Sequence, residues 1–270
     1  LADVLTPERV REYERAYQLG NGESLAWNYA ARKVSPGILA RLQALAEEQQ
    51  LIEKYRMILA GEIMNTGEKR MVLHHLCRGE LAGTVNHEGR NLREFYEEQR
   101  GRFSRFAEGV HAGAVTSTSG KPFTSVVQIG IGGSDLGPRA LYLALEGHEY
   151  EYAGKRRRGP MLDTRFISNV DPDDTAGVLR GLEPETTLFV LVSKSGTTQE
   201  TLTNEAFAID WLTERGAIAP RKQIVCVTSE TSPLAKSSDY LDSFFIDDFI
   251  GGRYSSSSAV GGTVLSLAYG

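Results

Sequence analysis

The sequence is poor in the features that mark several common classes of protein. It has only two cysteines, Cys77 and Cys226, and neither has a neighbour at metal-ligand spacing. This argues against a disulfide framework and against a structural zinc site. Its apolar runs are far shorter than the roughly 20 residues that span a bilayer, and no basic and apolar leader opens the chain. We therefore expect no membrane segment and a cytoplasmic location.

A basic excess, which is the usual mark of a nucleic-acid-binding surface, is also missing. The 270 residues include 30 Lys and Arg against 35 Asp and Glu, a formal net charge of −5. The one basic cluster, at residues 155–158, is flanked by turn-forming residues and is interpreted as a solvated loop. We expect no nucleic-acid partner. An anionic ligand is still compatible with this charge, because local donors and helix ends decide its affinity.

Residues 1–120 are predicted to form a helical amino-terminal region. A first helix is capped by Thr6 and carries Tyr17 on its apolar face, a longer helical segment covers residues 35–61, and a third covers residues 92–110. The aromatic residues of this third segment are expected to pack in a core, and they are Phe95, Tyr96, Phe103 and Phe106.

Residues 121–270 alternate strand patterns with helical or loop segments. The predicted strands lie near Val126–Ile131, Arg165–Asn169, Leu188–Val192, Ile224–Thr228 and Phe244–Ile246. Because the segments between them are long enough for parallel crossovers, the pattern predicts an α/β fold with a doubly wound, mainly parallel sheet. Ligands of such sheets bind beyond the carboxyl ends of the strands.

A polar loop follows the third predicted strand, whose continuous apolar run is typical of a strand buried on both faces. The loop, here called the hydroxyl loop, consists of Ser193, Lys194, Ser195, Gly196, Thr197 and Thr198. It offers four hydroxyls, one cation and a glycine that permits close backbone approach. A helix is predicted to begin at its end, so that free N–H groups point into the same loop. This composition is suited to a phosphate.

A glycine loop follows the first predicted strand, with Ser134 and Asp135 among four glycines at positions 130, 132, 133 and 137. A dinucleotide fingerprint needs glycine where Asp135 stands, and a P-loop needs lysine where Pro138 stands. Either loop alone is compatible with an ordinary structural turn. The two together favour a shared site for one small polar ligand.

A third segment, Gly251–Ser255, places Arg253 after an acidic stretch. Its guanidinium is a candidate for stabilising negative charge that develops during a reaction. The alternative is a structural ion pair with Asp247 or Asp248.

Three segments, IGIGGSDLGP, SKSGTTQET and GGRYS, occur in the order found in glucose-6-phosphate isomerases of bacterial type, and the chain resembles that family. GEIMNTGEKRMVLHHLCR, at residues 61–78, resembles a weaker motif of the same family. The resemblance implies a sugar-isomerase domain over residues 121–270. It also implies interconversion of glucose 6-phosphate and fructose 6-phosphate through a cis-enediol(ate), without metal or organic cofactor. A hexose 6-phosphate would be the substrate, and the full-length protein would be a homodimer.

The resemblance also assigns roles to residues. It places Gly133 and Ser134 in a substrate-contacting turn, the hydroxyl loop on the substrate phosphate, and Arg253 beside the intermediate. It makes Glu200 the orienter of a downstream histidine and places Thr201 in the substrate-binding segment. Members of the family often have Leu-Trp after the third motif where this chain has Ser256 and Ser257. We expect altered packing there and an unchanged reaction.

The family's catalytic glutamate, ring-opening histidine and late lysine have no match before Gly270. The five histidines of the chain are interpreted as structural or exposed; they are His74, His75, His87, His111 and His148. We therefore expect the amino-terminal portion of a longer enzyme, which binds the substrate but lacks the catalytic base. A noncatalytic phosphosugar-binding regulatory module is the alternative.

Overall fold

The computed structural model describes residues 5–79 and 83–270. The chain forms two compact units, of which the first ends at Tyr55 and the second begins at Arg56. The domain boundary expected near residue 120 stays a prediction.

The first unit contains helices and a β-hairpin. Its elements are helix α1 (Pro7–Glu12), strands β1 (Glu14–Gln18) and β2 (Ser24–Asn28), and helix α2 (Pro36–Glu48), and helix α3 (Leu51–Leu59) starts within it. Side-chain oxygens of Thr6 and Ser35 accept hydrogen bonds from backbone N–H groups in the first turns of α1 and α2. Both helix starts expected from the sequence are therefore confirmed.

One expectation for this unit is wrong. Tyr17 is not on a helix, because α1 ends at Glu12 and Tyr17 pairs with Leu25 in the hairpin. The expected segment 35–61 is helical but interrupted, since Gln50 has a φ of 52° and separates α2 from α3. That left-handed conformation is incompatible with a continuing right-handed helix.

The second unit contains the main sheet, its helices and two further hairpins. Its elements are β3 (Asn86–His87), β4 (Arg90–Asn91), α4 (Leu92–His111), β5 (Ser125–Ile129), α5 (Leu136–Leu145), β6 (Glu149–Tyr152), β7 (Lys155–Arg158), β8 (Asp163–Ile167), α6 (Pro172–Leu179), β9 (Thr187–Val192), α7 (Gln199–Thr213), β10 (Ile224–Thr228), β11 (Asp242–Phe245) and α8 (Ala259–Tyr269). The basic cluster forms β7, paired antiparallel with β6, where a loop was expected.

The five-stranded sheet has the order β11-β10-β9-β5-β8, and each neighbouring pair is parallel. Numbered along the chain, this is the order 5-4-3-1-2, so the direction of winding reverses between β5 and β9. Each predicted strand overlaps an observed one. The predicted α/β class with a doubly wound parallel sheet is confirmed.

Strand β9 shows why its apolar run is continuous. Leu188, Val190 and Val192 join a core with side chains of α4 and α8, whereas Phe189 and Leu191 join a second core with side chains of α7. All five are at most 1% exposed. Because successive side chains of a strand point to opposite faces, helices on both sides of the sheet require an apolar residue at every position.

Helix α4 covers one face of this sheet. Its four aromatic residues are buried as expected, and Phe103 and Phe106 stack edge-on against Phe244 of β11. Both cysteines are free thiols. Among the described residues, no helix combines the length and apolarity needed to cross a membrane.

A pair of glycine substitutions tests the packing of α8 on α4. A Cβ on Gly262 of α8 would lie 2.3 Å from the Phe103 ring, whereas a Cβ on Gly177 of α6 would meet no atom within 4 Å. We expect Gly262→Ala to lower the free energy of unfolding by about 1 to 3 kcal/mol through overpacking. Gly177→Ala, the matched control, should raise it by about 0.4 to 1 kcal/mol. Urea denaturation measures both, and shifts of the same sign would contradict the packing.

Candidate functional site

The two polar loops predicted from the sequence lie at one edge of the sheet. The hydroxyl loop follows β9 and the glycine loop follows β5, and these strands are neighbours with Ile129 opposite Leu191. Adjacent strands are about 4.8 Å apart. The loops therefore flank the point where the winding reverses, which is the usual ligand position in an open parallel sheet.

Internal hydrogen bonds order the hydroxyl loop. The Ser193 hydroxyl donates to Thr198 Oγ1 at 3.1 Å and accepts from the Gly196 N–H at 3.2 Å. The Thr197 N–H and hydroxyl both donate to Ser195 Oγ, at 3.2 and 3.0 Å. The hydroxyls are thus arranged before any ligand binds.

Residues at the end of β10 and just after it contact the hydroxyl loop. The Thr228 hydroxyl donates to Ser193 O at 2.7 Å and lies 2.6 Å from Ser232 Oγ. Gly196 has a φ of 67°, and a Cβ there would lie 2.5 Å from that same Ser232 oxygen. Glycine is required at position 196 for both reasons.

The Lys194 ammonium points to the segment that follows β11. Its Nζ lies 3.4 Å from the carbonyl oxygens of Asp248 and Ile250 and 3.8 Å from Asp248 Oδ1. Asp248 is shared with Arg70, at 3.7 Å. The cation of the hydroxyl loop is therefore held toward residues 248–250.

Helix α7 starts at the end of the hydroxyl loop, as the sequence predicts. The Thr198 side chain makes no capping hydrogen bond to the first turn, and its Oγ1 accepts from the Ser193 hydroxyl. Glu200 is exposed on this turn, whereas Thr201 is buried at 1% exposure. The first-turn N–H groups thus remain directed at the loop.

The glycine loop contacts the arginine-bearing segment through backbone atoms. A Cβ on Gly133 would lie 2.4 Å from Gly252 O, and the Ser255 hydroxyl oxygen lies 2.8 Å from Gly252 O and 3.1 Å from Gly133 O. The buried Gln128 amide donates to Ser134 O at 2.7 Å and fixes the other end of the loop. The structure thereby brings the turn at Gly133 and Ser134 next to the segment that carries Arg253.

Arg253 is exposed, and among residues 5–79 and 83–270 it has no hydrogen-bond or ion-pair partner. The alternative of an ion pair with Asp247 or Asp248 is therefore not found. Asp247 accepts from the Tyr96 hydroxyl at 2.5 Å and from a backbone N–H. An open cavity of about 630 Å³ is lined by Leu136, Arg253 and neighbouring glycines.

The environment of Asp247 has opposing effects on its carboxyl. Burial raises its pKa above the ordinary value, while the hydrogen bonds from Tyr96 and from the backbone N–H groups of Phe249 and Ile250 lower it. These donors explain how a carboxylate is accommodated at this partly buried position. Within the part of the chain that the structure describes, no group of three His, Cys, Asp or Glu side chains could hold a metal ion.

Sequence reasoning missed the residues that support the loops. Thr228 and Gln128 could have been predicted, because each is a polar residue within a predicted buried strand and therefore needs a hydrogen-bond partner. Ser232 and Ser255 lie in serine-rich turns that offered no comparable signal.

A comparison with family models matches most of the chain. Residues 28–270 match the family model of phosphoglucose isomerase. The chain belongs to this family.

Two similar proteins are named as glucose-6-phosphate isomerases. The one from Treponema denticola is 52% identical over the whole chain, and the one from Borreliella burgdorferi strain B31 is 41% identical. The chain covers 50% of each relative, so it spans about half the length of these curated relatives.

Two solved structures superpose on this chain. The crystal structure of a glucose-6-phosphate isomerase from Chlamydia trachomatis superposes with a TM-score of 0.82 at 35% identity, covering 100% of this chain and 48% of that one. A hypothetical protein from Thermus thermophilus gives a TM-score of 0.58 at 28% identity, covering 86% of this chain and 46% of that one.

The backbone contact between the two loops predicts the effect of one methyl group. We expect Gly133→Ala to separate the glycine loop from Gly252, because the added Cβ would overlap the Gly252 backbone. The buried Ser255 N–H, which donates to Gly252 O at 3.4 Å, should then exchange hydrogen roughly tenfold faster or more. The control is Gly147→Ala, whose Cβ would meet no atom within 4 Å. Equal exchange in both variants would contradict the contact.

Proposed function

We propose that this chain supplies the phosphate-binding and charge-stabilising part of a glucose-6-phosphate isomerase, which interconverts glucose 6-phosphate and fructose 6-phosphate. The observation that carries the proposal is the convergence of three segments at the reversal point of the sheet. The hydroxyl loop and the glycine loop flank that point, and the segment 248–253 contacts both. The names of the relatives supply the substrate and the reaction.

In this proposal the substrate phosphate binds at the hydroxyl loop. Lys194 supplies the charge, Ser195, Thr197 and Thr198 supply hydroxyls, and the first turn of α7 supplies N–H groups. Charge-assisted hydrogen bonds contribute about 1.5 to 3 kcal/mol each. Three or four of them anchor a phosphosugar after the entropy of binding is subtracted.

The sugar carbons then extend toward the cavity beside Arg253, with Gly133 and Ser134 at their side. Isomerisation moves a proton between C2 and C1 and leaves negative charge on the enediolate oxygens. A guanidinium stays protonated and stabilises that charge best where water is excluded. Arg253 suits this role, because none of the described residues neutralises it.

The proposal assigns the catalytic base to residues outside these 270. Glu200, exposed at the start of α7, would orient a histidine that also lies outside these 270 residues. Thr201 would stabilise the first turn of α7. A homodimer of the full-length protein and a cytoplasmic location accompany the proposal as further predictions.

Substitution of one hydroxyl by a carboxylate tests the phosphate site. We expect Ser195→Glu to weaken binding of fructose 6-phosphate by roughly tenfold or more, because the new charge repels the phosphate. Calorimetric titration measures the affinity. Ser238→Glu adds the same charge at an exposed position before β11 and should leave the affinity unchanged. Equal affinities in the two variants would contradict the phosphate site.

A turnover assay tests the division of labour. The 270-residue chain should bind fructose 6-phosphate yet convert none of it above the uncatalysed rate, because the base is absent. A coupled assay of glucose 6-phosphate formation measures this, with a full-length isomerase as positive control. Ordinary isomerase turnover by the chain would show that the base lies within it.

A further inference from the structure

The sequence motif at residues 61–78 has no part in the proposed function. Its end, residues 73–78, contains a 3₁₀ turn at His74–Cys77 and runs beside the segment 249–257. The Leu73 N–H donates to Phe249 O at 3.2 Å. The His74 ring lies with Nε2 2.9 Å from Gly251 O, a contact that requires a proton on that nitrogen.

Arg78 makes further polar contacts between these two segments. Its Nη2 donates to Tyr254 O at 2.7 Å, and its Nε donates to Ser257 Oγ at 2.8 Å. The guanidinium carbon also lies 5.9 Å from the centre of the Tyr254 ring. One planar group thus fixes two points of the loop, on the carboxyl side of Arg253.

Tyr254 has a backbone conformation that needs such support. Its φ is 63° and its ψ is 15°, the left-handed region that residues with a Cβ seldom adopt. Its side chain cannot compensate by burial, because the residue is 76% exposed. Strained conformations persist where the surroundings determine them. Two hydrogen bonds surround Tyr254: Arg78 donates to its carbonyl, and the Ser255 hydroxyl lies 2.8 Å from Gly252 O.

We propose that Arg78 is a positioning residue for Arg253. It holds Tyr254 in the left-handed conformation and so fixes the peptide from which the Arg253 side chain projects into the cavity. The inference rests on the proposed function, since it assigns Arg253 to the reactive end of the ligand, opposite the phosphate, where negative charge develops during the reaction.

In this proposal, Arg78 affects one end of the ligand site and not the other. The hydroxyl loop is ordered by its own hydroxyls and by Thr228, whereas Arg78 bonds to the segment that carries Arg253. Loss of the guanidinium should let Tyr254 relax to a negative φ and turn Arg253 away. Binding at the reactive end should weaken, while phosphate binding is retained.

Two ligands that differ at one end separate these effects. 6-Phosphogluconate carries a carboxylate at carbon 1, whereas sorbitol 6-phosphate carries a hydroxyl there. We expect Arg78→Ala to weaken binding of 6-phosphogluconate by roughly tenfold or more. Its effect on sorbitol 6-phosphate should stay below roughly twofold. Calorimetry on the 270-residue chain measures both affinities. Arg78→Lys should also weaken binding of 6-phosphogluconate, though less than Arg78→Ala does. An ammonium keeps the charge but cannot reproduce the two-point hydrogen bonding of the guanidinium.

Chemical rescue and a charge control complete the test. Guanidinium at non-denaturing concentration should restore part of the 6-phosphogluconate affinity of Arg78→Ala, whereas equal sodium chloride should not. Arg156→Met removes an exposed arginine from β7 and should leave both affinities unchanged. Equal loss for both ligands, or no loss, would overturn the positioning role. Failure of the unmodified chain to bind either ligand would instead overturn the proposed function and, with it, this inference.

Discussion

The close approach of the Gly133 and Gly252 backbones is the constraint on which the site depends. Gly133 follows β5 and Gly252 follows β11, and these strands are separated by β9 and β10. Three strand spacings amount to about 14 Å. The chain after β11 must therefore cross the carboxyl ends of β10 and β9 before it reaches β5. On this path it passes Lys194, whose ammonium lies near two of its carbonyls. The crossing explains why three segments far apart in sequence meet at one edge.

The crossing segment is irregular, so its polar groups need partners from other elements. Asp247 is held by Tyr96 of α4 and by the N–H of Phe249, and the Phe249 carbonyl accepts from Leu73. Backbone groups left unpaired at such a position would each cost about 1 to 3 kcal/mol. Residues well before the sheet in sequence thus determine the geometry at its edge.

The predictable part of this structure is the part governed by periodicity and topology. The apolar run of β9 and the parallel order of the strands were enough to place two loops at one edge. The hairpin at β1 and β2 was missed, although Asn21-Gly22 is a strong hairpin signal and Gly22 has a φ of 86°. Tyr13 and Tyr17 have a spacing that fits one helical face. This spacing led to the prediction of a helix, and the turn signal was given too little weight. The bonds from Arg78 to Tyr254 and Ser257 join residues 176 and 179 positions apart, and no local pattern encodes them.

The two cations of the site are ordered in different ways, and the difference suits their proposed ligands. The Lys194 ammonium is restrained at its tip by carbonyl oxygens, so a phosphate meets a charge that has already lost much of its freedom. The side chain of Arg253 has no such restraint among the described residues, although Arg78 donates to the carbonyl of the next residue, Tyr254. Ordering an unrestrained side chain costs about 0.5 to 1.5 kcal/mol on binding. A ligand recovers that cost only when it presents a full negative charge, which a ground-state sugar lacks at its reactive end and an enediolate has. In the proposed isomerisation, this arrangement would favour the enediolate, and the transition states that resemble it, over the substrate.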